Sequence, residues 1–212
     1  MDYDKKFAEG VLRRALDYPW FFFSHRMLKC YLTEEVRLHV WTDAERVHNL
    51  PRIHDHPWPF RSTILAGRVR NQRFLRTKDR RYREYFYHDV VEPSGRFDSG
   101  AKPGDREQAP DRCAIGPIGV TRLAPGPYEV YTEGMSYGQR GGEIHDSKSL
   151  DGTVTLVDND LRDSRSYITV FWEKPRGDGP PAFRGNAKLL PLPLASDAEV
   201  LRITSAALEK WF

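Results

Sequence analysis

The sequence is poor in cysteine, in long apolar runs and in charge of one sign, and each shortage removes a class of function. Only Cys30 and Cys113 occur among the 212 residues, so there is neither a disulfide framework nor a CxxC metal or redox pair. Nothing calls for an oxidising compartment, and a reduced cytoplasmic setting is the expectation. The aromatic run PWFFF at 19–23 is broken by Ser24 and His25, well short of the ~20 apolar residues of a membrane-spanning helix. The opening MDYDKKFAEG has no basic-then-apolar pattern, so no targeting leader and no membrane partner are expected. Lys and Arg total 33 against 30 Asp and Glu, a formal charge of +3. That excess suits small anions and falls short of a nucleic-acid footprint. There are no internal repeats, and GQRGG at 138–142 lacks the Lys-Ser/Thr of a phosphate-cradling loop.

What is present is β-branched, aromatic and punctuated by turns. Phe7, Val11, Leu12, Ala15 and Leu16 fall at helical spacing between charged residues in 2–18, which predicts an amphipathic helix laid on a sheet and ended by Pro19. Strand composition follows at 27–41, 63–74 and 82–91, then at 118–124, 127–133, 153–158 and 166–173. The stretch 93–112 is dense in Gly, Pro and charge without periodicity, and reads as a solvated insertion, with a lid as the alternative. Ser196 and Glu199 form an S-x-x-E capping box ahead of Val200, Leu201, Ile203, Ala207 and Leu208, predicting a C-terminal helix over 196–212. The length and the spacing of short strands fit one mainly β domain, a barrel or sandwich with flanking helices: a helical segment at 1–25, a β body at 26–175, and the closing helix.

RIHDHPWPF at 52–60 carries the chemistry. His54 and His56 are the only two of seven histidines spaced one residue apart, and in an extended segment they project to the same side about 7 Å apart along the chain. A pair can converge on one ion; the bland alternative is a polar loop entering a strand, as Pro57 and Pro59 suggest. A metal needs a third protein ligand, to be found among His25, His39, His48, His88 and His145. His145 stands out because Gly134, Gly138, Gly141 and Gly142 precede it, allowing a tight turn into a short strand that aims it inward.

These residues resemble the two motifs of the cupin superfamily. His54, His56 and Gly67 match the histidine pair and closing glycine of the first motif, and Gly134, Gly142 and His145 match the glycines and histidine of the second. The resemblance covers about residues 48–150 and the strands that follow, and it implies a small β-barrel (a double-stranded β-helix) that gathers the metal ligands inside. The chain departs from the pattern in three ways: His48 stands where the first motif has its leading glycine, Phe60 or Arg61 replaces its glutamate, and Arg140 and Ser149 replace the proline and asparagine of the second. The implied ligand set is therefore His54, His56 and His145. Such an all-histidine set is similar to that of cysteine dioxygenase and related thiol dioxygenases, whose site also resembles the IHDH tetrapeptide; the cysteine-tyrosine crosslink of some of those enzymes has no counterpart near the motif here.

Three neutral imidazoles leave the full charge of a divalent ion and open positions for substrate, dioxygen or water. The expected activity is that of a non-haem Fe(II) dioxygenase acting on a small carboxylate-bearing substrate, with Zn, Ni, Cu or Mn as alternative ions. Two other readings are a redox-neutral cupin isomerase, cyclase or lyase, and a non-catalytic barrel that binds a small molecule. Arg61 is the first candidate to hold the substrate carboxylate, followed by Arg68 and Arg70. Glu143, two residues before His145, is a candidate acceptor, proton shuttle or fourth ligand. Tyr131 and Tyr137 are candidate donors to bound oxygen, and Trp58 and Phe60 candidate walls that exclude water. His88 alternates with Phe86 and Val90 and is expected to be structural. Barrels of this kind often pair through edge strands or terminal segments, which leaves a homodimer open.

Overall fold

Asp4 starts the first helix by accepting a hydrogen bond from the Phe7 amide at 2.7 Å. The helix α1 (Lys5–Arg13) buries Ala8, Val11 and Leu12, and a single 3-10 turn, Ala15–Asp17, carries the chain to Pro19. At the other end Ser196 and Glu199 make the full reciprocal capping box of α2 (Asp197–Trp211), which buries Val200, Ile203, Thr204 and Ala207. Both helices form where the sequence predicts, but α1 is about two turns shorter than the expected 2–18, its last part being the 3-10 turn. The computed structural model describes residues 3–23, 27–33, 35–42, 53–90, 112–160, 168–173, 188–191 and 195–212. Among them no helix is long and apolar enough to cross a membrane.

Between the helices the described residues are mainly β and form two six-stranded sheets whose pairings are all antiparallel. The first sheet contains, in order, β1 (Trp20–Phe23), β2 (Met27–Tyr31), β3 (Val36–Trp41), β10 (Val154–Asn159), β5 (Phe60–Ala66) and β8 (Ser136–Gln139). The second runs β11 (Ile168–Glu173), β4 (Ile53–His54), β9 (Ile144–Ser149), β6 (Arg68–Val90), β7 (Arg112–Thr132) and β12 (Lys188–Pro191), and β11 also pairs with the far half of β6.

Alternation along the strands decides what each face sees. Leu28, Cys30, Leu38, Val40, Val154 and Leu156 face the helices and pack with Val11, Leu12, Val200 and Ile203 into the main core. Burying each such side chain is worth about 1.5–3 kcal/mol, so this layer fixes the first sheet in place. Its other face turns to the second sheet, where Phe60, Ile64, Tyr137 and Val157 meet Val69. Lys29, Tyr31, Arg37 and His39 alternate with the core residues of β2 and β3, and so stand on that inner face although all four are buried. The molecule therefore encloses a polar interior between two sheets.

Several strand expectations change in detail. The run 27–41 is two strands joined by a turn in which Thr33 accepts from the Val36 amide at 2.9 Å. The expected break at Pro125 and Gly126 is absorbed by a register shift opposite Gln72 and Phe74, so β7 continues through it. Short β1, β4, β8, β9 and β12 add to the expected set. The insertion 93–112 lies outside the described residues apart from Arg112, which opens β7.

Candidate metal centre

The histidine pair is held by the residue between its members. Asp55 points away from the two imidazoles and is buried; its Oδ1 accepts from the Thr169 amide at 2.8 Å, and its own amide donates to the Thr169 carbonyl at 2.9 Å. This clamp to β11 leaves His54 and His56 on the interior side. The His56 carbonyl accepts from the Gly142 amide at 2.8 Å, which ties the pair to the turn that launches β9. Glycine is needed there twice: Gly142 adopts φ +81°, and a Cβ on Gly141 would lie 3.2 Å from the Pro57 carbonyl oxygen.

Strand register supplies the third histidine. His54 of β4 stands opposite His145 of β9, which on its other side stands opposite Arg73 of β6. The three imidazoles offer one nitrogen each, all within 4.8 Å of one another. His54 Nε2 and His56 Nε2 are 3.1 Å apart, and nitrogens bound to one ion at ordinary bond lengths stand about 3 to 3.4 Å apart. The carboxamide oxygen of Asn71 lies 2.9 Å from His145 Nδ1 and also accepts from Ser147 Oγ at 2.9 Å. An oxygen only accepts, so the proton of His145 sits on Nδ1 and the lone pair on Nε2, which is buried and has no hydrogen-bond partner. A partnerless buried acceptor aimed at two converging imidazoles fits a metal ligand. The described residues can bind a metal ion at His54, His56 and His145.

The electrostatics favour the ligand form. Burial lowers the pKa of His56 and His145 well below the usual imidazole value; His54, His145, Arg37 and His39 add to this at His56, and His54 and Arg73 at His145. Neutral imidazole is what a metal requires. Aromatic rings enclose one side: Phe60 lies 4.7 Å from His56 and 5.9 Å from His145 between centroids, and Trp58 lies 6.3 Å from His56, its indole donating to Asn159 Oδ1 at 2.7 Å. Tyr137 is buried at 6.1 Å from Phe60 and stacks on Tyr131 at 4.5 Å. Burial raises the pKa of both phenols, so each stays protonated near neutral pH and can donate a hydrogen bond.

The remaining candidates stand elsewhere. Arg61 is exposed and alternates with Phe60, which puts it on the opposite face of β5 from the histidines. Arg68 and Arg70 are also exposed, with Arg70 lying over the Tyr128 ring at 3.5 Å. Glu143 does not join the ligand nitrogens; it is half-buried, accepts from the Arg140 amide at 3.0 Å, and lies 3.8 Å from Arg73 Nε. Tyr131 donates to Glu129, which also pairs with Arg73 at 3.1 Å. His88 lies on β6 opposite Ala114 and His39 on the facing sheet, whereas His25 and His48 lie outside the described residues.

The sequence reading missed Asn71, Ser147 and Arg37, brought to the inner side by pairing between distant segments, and Arg73, half-exposed opposite His145. No protein-family model matches the chain, and none of the curated proteins is a significant match.

Proposed function

We propose that the chain is a metal-dependent enzyme of cupin type, a non-haem Fe(II) dioxygenase that acts on a small carboxylate-bearing substrate within the space between its two sheets. The observation that carries this reading is the convergence of His54, His56 and His145 with the unpartnered Nε2 of His145. His54, His56 and His145 hold the ion, and Asn71 with Ser147 orients His145. Bound Fe(II) supplies affinity for dioxygen and one-electron chemistry that the side chains lack. Among the described residues no carboxylate joins the three histidines, so a bound divalent ion would keep its positive charge, which favours an anionic substrate. Phe60 and Trp58 exclude water from one side, and the Tyr137 phenol stays protonated and able to donate a hydrogen bond.

The test is oxygen uptake by protein reconstituted anaerobically with Fe(II), across small amino acids, thiols and other carboxylates. Substrate-dependent uptake that is lost in His56→Ala supports the dioxygenase. Turnover of a substrate without oxygen consumption, with Zn, Ni, Cu or Mn as effective as iron, would replace it with redox-neutral chemistry. Metal binding without turnover of any substrate would leave a binding protein.

A further inference from the structure

Among the described residues, the inner face of the first sheet carries a buried guanidinium, that of Arg37, without an acidic partner. Lys29 and Tyr31 of β2 stand opposite His39 and Arg37 of β3, and all four are buried. The same row continues through Val157, Ser62 and Tyr137, with no carboxylate in it. Arg37 is only 7 % exposed, and its Nε and Nη2 are buried without a hydrogen-bond partner. Those two nitrogens form the side-on edge of a guanidinium, whose near-parallel N–H groups match the two oxygens of a carboxylate. The guanidinium carbon lies 4.8 Å from the Tyr31 ring centroid and 5.1 Å from that of Trp58, so the group is held by packing rather than by an acidic partner. His39 Nε2, on the same face, is also buried and unpartnered.

Leaving a charge buried and unpaired is strongly unfavourable, and a fold that does so around a fixed fork is built to receive a counter-charge. The interior that would receive it is shared with the histidines. Arg37 and His39 both lie near enough to disfavour protonation of His56, and the Trp58 ring beneath Arg37 is 6.3 Å from the His56 ring.

We propose that Arg37 is the carboxylate anchor of this protein's ligand: Nε and Nη2 take the carboxylate side-on, His39 Nε2 borders the same subsite, and the rest of the ligand passes Trp58 toward His54, His56 and His145. This deepens the proposed function and rests on it only for the end of the ligand that reaches the metal. The sequence candidates Arg61, Arg68 and Arg70, all exposed, have no part in it.

The experiment is a thermal-unfolding titration of the wild type, Arg37→Met and Arg37→Lys with malonate and with inorganic phosphate, at ionic strength fixed with NaCl, on metal-free and metal-loaded protein. Malonate should raise the wild-type Tm saturably. Arg37→Met keeps an apolar stem against the two rings, so its ligand-free Tm should equal or exceed that of the wild type while malonate affinity falls more than about thirtyfold. Arg37→Lys keeps the charge but loses the fork, and malonate should bind it at least about tenfold more weakly; it carries the test alone if Arg37→Met does not fold. The proposal is overturned if malonate leaves the wild type unchanged, if the variants respond as the wild type does, or if phosphate acts through Arg37 and malonate does not. Metal content of the same samples separates the two ideas: Arg37-dependent malonate binding by a wild type that takes up no metal would remove the metal reading and leave the anchor standing.

Discussion

His145 Nδ1 lies 2.9 Å from Asn71 Oδ1, and this one contact decides which nitrogen of a buried imidazole is free to bind. It joins two strands that stand next to each other in the second sheet, with Asn71 opposite Ser147 and His145 opposite Arg73. Asn71 is fully buried and its oxygen is shared with the Ser147 hydroxyl, so neither the tautomer nor the ring orientation depends on solvent.

Replacing Asn71 with leucine should leave all three ligands in place and still weaken metal binding. Removal of an outer hydrogen-bond partner of a histidine ligand lowers metal affinity about 10–100-fold. Competition with a chromophoric chelator measures this. Unchanged affinity would mean that the contact orients nothing.

The metal-free protein should lose stability as pH falls through the range where free histidine titrates. Burial is the main cause of the lowered pKa of His39, His56 and His145; Lys29 and Arg37 add to it at His39. The folded state keeps these rings neutral, while in the unfolded chain each takes up a proton near pH 6.5. Unfolding therefore binds protons below that pH. The stabilisation is fully present above about pH 6.5 and declines below it, by up to about 1.4 kcal/mol per pH unit for each histidine, until the folded-state pKa is reached. Urea midpoints at pH 8, 6.5 and 5.5 read the effect. A flat profile between pH 7.5 and 5.5 would contradict it; saturating metal should raise the midpoints without moving the onset, which the unfolded chain sets.

Gly67 should not tolerate a side chain. It adopts φ +86°, and a Cβ there would collide with the Thr153 side chain and approach the Thr153 Cα to 3.1 Å. Gly67→Ala should cost about 1–3 kcal/mol from the backbone alone, with the collision added, and should lower Tm by several degrees in a calorimetric scan. The glycine that closes the first motif thus has a steric reason to be there, at the corner between β5 and β6.

Much of this layout was legible in the sequence where local chemistry speaks. The capping box at Ser196 predicted α2, and apolar spacing predicted α1. The His54/His56 spacing and the glycines before His145 picked out the three residues that converge. The misses share a cause. In β8 and β9, SYGQ and IHDSKS put polar side chains on a buried face, and hydrophobic alternation cannot reveal a strand whose interior is polar. The turn between β2 and β3 contains no Gly or Pro, so the two strands looked like one. Arg37 and Asn71 could not be separated from surface residues, because only the pairings of β3 with β10 and of β6 with β9 bury them. Arg61 was a natural choice beside the motif, and the two-residue alternation of β5 sends it outward.

The most direct test of the metal centre is elemental analysis of untagged wild-type protein and of His145→Ala, each purified without added metal and again after reconstitution with Fe(II). The account predicts close to one ion per chain in the wild type and none bound stoichiometrically in the variant. Full metal in His145→Ala, or none in the wild type even after reconstitution, would contradict it.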